Sequence, residues 1–278
     1  YTMYMKLSVC LLSALLTALP AFPASSQPAS DEPVQATANQ WKGKRVAFLG
    51  DSITDSVRVG TTKCYWEYLA EWLGIDPQVY AKNGNQWDGV LRQAERLKAE
   101  GKAVDAILIF AGTNDYNAGV PLGEWYDYAQ TETVVKGGGT ETRARRIPQT
   151  NGATFRGRIN RVMDYLKTNF PTQQIIVLTP IHRGAARFSN ENIQPEEAFP
   201  NKLGLYVDSY VSAVKETANV WAVPVIDLNS LSGLYPMNDA HAPYFHTRDT
   251  DRLHPNAEGH RRMALTLMYQ LQALPASF

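Results

Sequence analysis

Gly50-Asp51-Ser52-Ile53 follows the apolar run Val46-Ala47-Phe48-Leu49, so a serine hydroxyl falls where a buried strand breaks off. Gly and Asp supply the sharp exit, and the carboxyl ends of strands are where open α/β sheets collect ligands and chemistry. A serine so placed can act as a nucleophile only with a base to take its proton and donors to hold the resulting oxyanion. Two further stretches could supply them. Gly112-Thr113-Asn114-Asp115 directly follows the apolar run 106–111 and can point the Asn114 amide into the same sheet edge. Asp251-Arg252-Leu253-His254-Pro255-Asn256 opens the last helical pattern, and its carboxylate and imidazole are three positions apart. At that spacing one turn lets Asp251 receive a hydrogen bond from an imidazole that faces Ser52, the base-plus-orienter arrangement of a serine hydrolase. Each residue also has a plainer role: Ser52 as a helix cap, Asp51 and Asn114 as turn residues, His254-Pro255 as a helix start. Those roles do not explain why all of them fall at one edge of a sheet.

The elements that must position these groups read as alternating strands and helices. Five apolar runs bounded by turn residues predict strands at 45–49, 78–81, 106–111, 174–179 and 223–227. Helical patterns lie at 64–73, 87–100, 154–169, 201–219 and 256–271. Such alternation predicts βαβ units and a parallel sheet in one α/β/α sandwich. Three connections are long, 116–152, 181–200 and 228–250, and long connections inside a compact domain are usually functional or mobile. They carry aromatic and cationic residues suited to stacking on sugar rings and pairing with carboxylates, among them Trp125, Tyr126, Arg183, Tyr244 and His246 as candidate substrate contacts. The plainer role of any one of these is to pin its loop to the sandwich.

Composition narrows the classes. The 278 residues are 44% hydrophobic, enough for a full core in one large domain, expected over 41–278. A formal net charge of zero gives no electrostatic footprint for nucleic acid. Lys6 precedes an apolar run to Leu19 that is too short to span a bilayer comfortably and ends near Pro20, Pro23, Ala24 and Ser26, the pattern of a secretory signal peptide over 1–26. A Ser/Pro/Gln-rich linker over 27–40 follows. The expected product is secreted or periplasmic, without stable membrane insertion once the signal is removed. Cys10 lies in the leader and leaves Cys64 alone, so no disulfide is expected in the mature chain.

Neither a metal nor a cofactor is expected. His241, His246, Asp249, Asp251 and His254 crowd one segment, but their spacing is loose for a zinc site and Asp251 and His254 have another use. His182, His241, His246 and His260 read as loop or surface residues, with His246 the one to touch a substrate. No Walker A or Gly-x-Gly-x-x-Gly motif follows a strand, and no Gly-x-Ser-x-Gly elbow of an α/β-hydrolase occurs.

Taken in order, Gly-Asp-Ser, Gly84 after the second strand, Gly-Thr-Asn-Asp after the third and Asp-x-x-His-Pro-Asn before the last helix resemble the SGNH, or GDSL-type, hydrolase family across the whole domain. The resemblance implies a flavodoxin-like three-layer fold with a five-stranded parallel sheet, and metal-independent ester hydrolysis through a serine acyl-enzyme. It also implies Ser52 as nucleophile, His254 as base, Asp251 as its partner, and the Ser52 amide, the Gly84 amide and the Asn114 side chain as oxyanion donors. The second block departs from the family's Asn-x-Gly followed by a small residue and another Gly, reading Asn83-Gly84-Asn85-Gln86-Trp87; a register one residue later would make the Asn85 amide the donor. An exported member with polar, aromatic loops looks most like a carbohydrate O-acetylesterase acting on a small-molecule or polysaccharide ester. The alternatives are a lysophospholipase- or thioesterase-like acyl hydrolase of the same family and a sugar-binding protein that has lost activity.

Overall fold

The apolar residues before Gly50 point alternately to two sides, Ala47 and Leu49 into one hydrophobic cluster, Val46 and Phe48 into another. The same alternation recurs at 106–110 and 174–178, so these strands are covered on both faces, as a parallel sheet requires. The computed structural model describes residues 39–278; the expected signal peptide, Cys10 and linker residues 27–38 lie outside the described residues. In chain order the elements are β1 (Arg45–Gly50), α1 (Tyr65–Leu73), β2 (Asp76–Val79), α2 (Trp87–Glu100), β3 (Ala106–Phe110), α3 (Thr113–Ala118), β4 (Tyr126–Val134), β5 (Thr140–Pro148), α4 (Phe155–Asn169), β6 (Gln174–Leu178), β7 (Ala186–Arg187), β8 (Ile193–Gln194), α5 (Val207–Trp221), β9 (Val225–Ile226), α6 (Leu228–Leu231), β10 (Phe245–Thr247), β11 (Asp251–Pro255) and α7 (Ala257–Gln272).

Strands β2-β1-β3-β6-β9 form the parallel sheet. Counted among themselves their order is 2-1-3-4-5, which is flavodoxin-like and reverses direction between β1 and β3. Helices α2, α4 and α5 cover one face through Val90, Ile159 and Val214, and α1 and α7 cover the other through Leu69 and Leu267. The three-layer sandwich expected from the alternation is thus the architecture of the domain.

Several boundaries differ from the pattern reading. Strand β2 begins at Asp76, two residues early, because Pro77 is tolerated on an edge strand. Helix α5 starts at Val207 rather than 201, since Asn201 Oδ1 accepts from the Leu203 and Leu205 N–H groups and holds that stretch as a turn. The loop 116–152 contains a regular antiparallel hairpin, β4 with β5, whose turn carries Gly137 and Gly138 at positive φ. A four-stranded antiparallel sheet of order β10-β11-β7-β8 joins segments of the other two long connections to β11, the stretch just before the last helix. Among the described residues no helix is long and apolar enough to cross a membrane. Cys64 is buried ahead of α1, where burial pushes its thiol up to about 12 and leaves it unreactive.

His260, expected at a surface, is fully buried on α7. Its Nδ1 accepts from the Tyr65 N–H at 3.2 Å and its ring stacks on Tyr65, so the neutral imidazole joins α1 to α7. Burial pushes its pKa down to about 3, and the nearby His254 adds to that shift. Below its ordinary value of 6.5 the unfolded chain therefore takes up a proton that the folded chain refuses, and stability falls with acid from there down to about pH 3. His260→Gln keeps an acceptor for the Tyr65 N–H but does not titrate. Chemical denaturation at pH 7 and pH 4 is expected to show a stability loss about 3 kcal/mol smaller in the variant than in the parent; parallel losses would refute it.

Candidate active site

Strand β1 ends at Gly50 with φ +154°, and a Cβ there would stand 2.2 Å from the Phe110 carbonyl oxygen of β3. Only glycine lets the two strand ends approach so closely. Gln93 of α2 clamps this point, its Oε1 accepting from the Gly50 N–H and its Nε2 donating to the Gly50 carbonyl, both at 2.8 Å. The chain then turns sharply: Asp51 Oδ1 accepts from the Ile53 N–H, and the Asp51 carbonyl accepts from Thr54 and Asp55. The fully buried Asp51 carboxyl is pushed up to about 7, chiefly by loss of water. Ser52 is left over the gap between β1 and β3, where the reversal of strand order opens a crevice.

His254 Nε2 lies 2.9 Å from Ser52 Oγ, and His254 Nδ1 lies 2.9 Å from Asp251 Oδ2. The two residues do not open a helix as the spacing suggested; both lie on β11, where Asp251 pairs with Thr247 and Ala186. Asp251 Oδ1 accepts from the Leu253 and His254 N–H groups at 3.1 and 3.0 Å, folding the carboxylate back along its own strand until it meets the imidazole. The helix waits for Asn256, whose Oδ1 caps it by accepting from Glu258 and Gly259. Burial works to raise the Asp251 carboxyl, but hydrogen bonds from His254 and His246, with the His254 charge, bring it below the usual carboxylate range. An ionised Asp251 favours the proton on Nδ1 and leaves the Nε2 lone pair facing Ser52, so the hydroxyl can lose its proton as it attacks.

Asn114 lies in the first turn of α3, and its Nδ2 donates to the Asn85 carbonyl at 3.0 Å, leaving the second N–H of that amide for another acceptor. The Asn85 N–H is taken by the Lys82 carbonyl at 3.1 Å. Gly84 has φ +75°, and its N–H, like that of Ser52, has no acceptor among the described residues. Of the two registers open in the sequence, the Gly84 amide is therefore the unengaged one. Asp55 fastens this turn to the serine loop, Oδ2 accepting from the Asn83 N–H at 2.6 Å and Oδ1 from the Val57 N–H at 3.0 Å. Buried Asp115 fastens its other end by accepting from the Trp87 N–H and from Arg158, at 3.0 and 2.8 Å.

A cavity of about 360 Å³ opens beside Ser52 and His254, with the amides of Asn83, Asn114, Asn192 and Gln194 in its wall. Its apolar side is formed by Val59, Phe188 and Leu253, and the Phe188 ring lies 5.6 Å from that of His254. None of the five expected substrate contacts lines this cavity. Trp125 donates to Glu216 and packs against Arg156, Tyr126 lies under Arg146 on the hairpin, and Tyr244 lies under Arg262. Arg183 is 1% exposed and sits behind the cavity wall, donating to Thr113 and to Gln194 Oε1. Large planar side chains in these loops bury more surface by anchoring the loop than by waiting in solvent. His246 stays half-exposed and touches Asp251 Oδ2 at 3.1 Å. The sequence reading missed Asn83, Asn192 and Gln194, whose amides are indistinguishable from ordinary loop polarity until Asp55 fixes the turn at Asn83 and β8 pairs with β7. Among the described residues no group of three or more His, Cys, Asp or Glu is arranged to hold a metal ion.

A model of the GDSL-like Lipase/Acylhydrolase family matches residues 48–262. Among solved structures, a protein from Lactobacillus plantarum is 27% identical, with 84% of this chain and 98% of that chain covered and a TM-score of 0.64. A possible lipase from Chitinophaga pinensis is 20% identical, covering 84% of this chain and 100% of that one, with a TM-score of 0.61. A salicylyl-acyltransferase from a tetracycline biosynthetic pathway is 16% identical, covering 84% of this chain and 56% of that one, with a TM-score of 0.55. The last two are likenesses of fold alone. No curated protein matches.

The Asp55 contact yields a test. Asp55→Ala releases the turn bearing Gly84 without touching Ser52, His254 or Asn114, and is expected to lower kcat for an activated acetate ester on the order of ten- to hundred-fold, less than outright loss of an oxyanion donor. A steady-state kcat equal to the parent's would show that Asp55 does not hold that turn in its working position.

Proposed function

Because the chain belongs to the GDSL-like lipase/acylhydrolase family, and is thereby a carboxylic ester hydrolase, we propose that Ser52, His254 and Asp251 perform the hydrolysis and that the ester is an O-acetyl group on a carbohydrate. Ser52 Oγ attacks the ester carbonyl while His254 Nε2 takes its proton, and Asp251 holds the ring in the required tautomer and stabilises the imidazolium. The tetrahedral oxyanion is received by the Ser52 and Gly84 N–H groups and the free N–H of Asn114. His254 returns its proton to the leaving alcohol, and water then releases acetate from the acyl-enzyme by the same route. Asn114→Ala is expected to lower kcat on the order of a hundred- to thousand-fold while the far-UV spectrum stays unchanged; a steady-state rate within a few-fold of the parent would remove Asn114 from the oxyanion site.

One observation supports the acetyl-carbohydrate reading above others: four Asn and Gln residues line the small cavity beside Ser52, together with three apolar residues. Amides match the hydroxyls of a sugar, and a short apolar wall suits a methyl group better than a fatty chain. The leader-like run before Pro20, with small residues at Ala24 and Ser26, supports an exported enzyme that meets polysaccharide outside the cytoplasm. The test is acetate release from a panel of acetylated polysaccharides, with Ser52→Ala as control, beside a chain-length series of nitrophenyl esters. A sharp preference for acetate and Ser52-dependent release from at least one polysaccharide is expected. Activity rising toward octanoate would replace this reading with a longer-chain acyl hydrolase.

A further inference from the structure

Asp251 Oδ2 accepts from two imidazoles, His254 Nδ1 at 2.9 Å and His246 Nδ1 at 3.1 Å. The second contact is built into the strand pairing. Strands β10 and β11 pair Phe245 with Pro255 and Thr247 with Asp251, so the register slips at His246. Such a bulge re-aims a side chain, here toward Asp251. Gly60, in the loop after β1, closes over both rings: a Cβ there would stand 2.8 Å from His254 Cβ and 3.1 Å from His246 Cβ. The outer side of His246 faces a cavity of about 540 Å³ whose charged groups are Arg58, itself paired with Glu67, and Glu258. Neither of these is ion-paired with His246, so Asp251 is its charged partner.

We propose that His246 is a positioning residue for ester hydrolysis, donating its Nδ1–H to the same Asp251 oxygen that orients His254. The inference rests on the reading of Ser52, His254 and Asp251 as the reacting groups. Two backbone N–H groups already hold Asp251 Oδ1, so the plane of the carboxylate is set from that side; a second imidazole donor at Oδ2 steadies the oxygen that meets His254 and draws off part of its negative charge. The shared oxygen therefore sets both the aim of the base and how strongly the carboxylate favours a proton on His254.

The test measures kcat, KM and the pH dependence of kcat/KM on a nitrophenyl acetate for the parent, His246→Ala, His246→Asn and Ser52→Ala. In His246→Ala, kcat is expected to fall roughly ten-fold at unchanged KM, the scale of one charge-assisted hydrogen bond. The acid limb of kcat/KM is expected to move to higher pH, because the unshared carboxylate holds the His254 proton more tightly. His246→Asn can present an amide N–H where Nδ1 stood and does not titrate; it is expected to recover most of kcat and return the acid limb to its place. An alanine variant whose kcat and acid limb match the parent's, a limb that moves to lower pH, or an asparagine variant no better than alanine overturns the proposal. Wild-type turnover by Ser52→Ala would instead overturn the reading beneath it, so the two failures are distinguishable.

Discussion

The contact between Gly50 and the Phe110 carbonyl oxygen governs the whole reacting edge. Because no Cβ intervenes at Gly50, the ends of β1 and β3 meet closely at the point where strand order reverses. The Gln93 clamp engages both polar backbone groups of Gly50; the carbonyl also accepts from the Lys82 N–H, whereas the buried N–H depends on Gln93, and leaving it unpaired would cost about 1–3 kcal/mol. Ser52 leaves one strand end and Asn114 the other, so a hydroxyl and an amide donor are brought together by backbone packing. The turn bearing Gly84 follows β2, the neighbour of β1 on its other side, and is fastened by Asp55 and by the anchoring of α2 to Asp115.

The imidazole arrives by a different route. Asp251 and His254 belong to a small antiparallel sheet outside the main one, and their relation to each other is local, set by the folding of the Asp251 carboxylate over its own strand. Their relation to Ser52 is not local: 202 positions separate the bonded atoms' residues in the chain. Packing of α7 against α1 within one layer, with His260 bonded to the Tyr65 backbone, fixes the helix that follows β11 and so the strand from which the His254 imidazole reaches Ser52. The same small sheet supplies Gln194 to the cavity wall and carries Arg183 close behind it. The imidazole facing Ser52 and part of the cavity wall therefore share one support, which couples the His254 position to the shape of the pocket.

Legibility in the sequence followed the range of the interactions. Motifs whose chemistry lies within a few residues, Gly50-Asp51-Ser52 and Asp251 with His254, could be read as potential site residues because their spacing alone limits what they can do. Fully buried strands declared themselves through continuous apolar runs. The β4–β5 hairpin did not: its strands are polar on both faces, and a triple glycine at 137–139 fits an irregular loop as well as a hairpin turn. Arg183 and Trp125 looked like substrate contacts because a string of letters does not reveal whether a planar side chain turns outward or anchors its own loop.

Sequence alone determined the family, the order of the main strands and helices along the chain, and the identity of the residues now joined around Ser52. The family and its site residues are carried by short motifs that resemble those of a known family, and the order of elements by periodicity, all set by neighbours in the chain. Tertiary structure decided that Gly84 rather than Asn85 has the free amide, that Asp251 works from a strand rather than a helix start, and that His246 shares its carboxylate. Each of these turns on which donor a distant acceptor has already taken, as when the Lys82 carbonyl occupies the Asn85 N–H or a slipped register at 246 swings an imidazole toward Asp251. Hydrogen-bond partners compete in space, and only the folded chain shows which of them won.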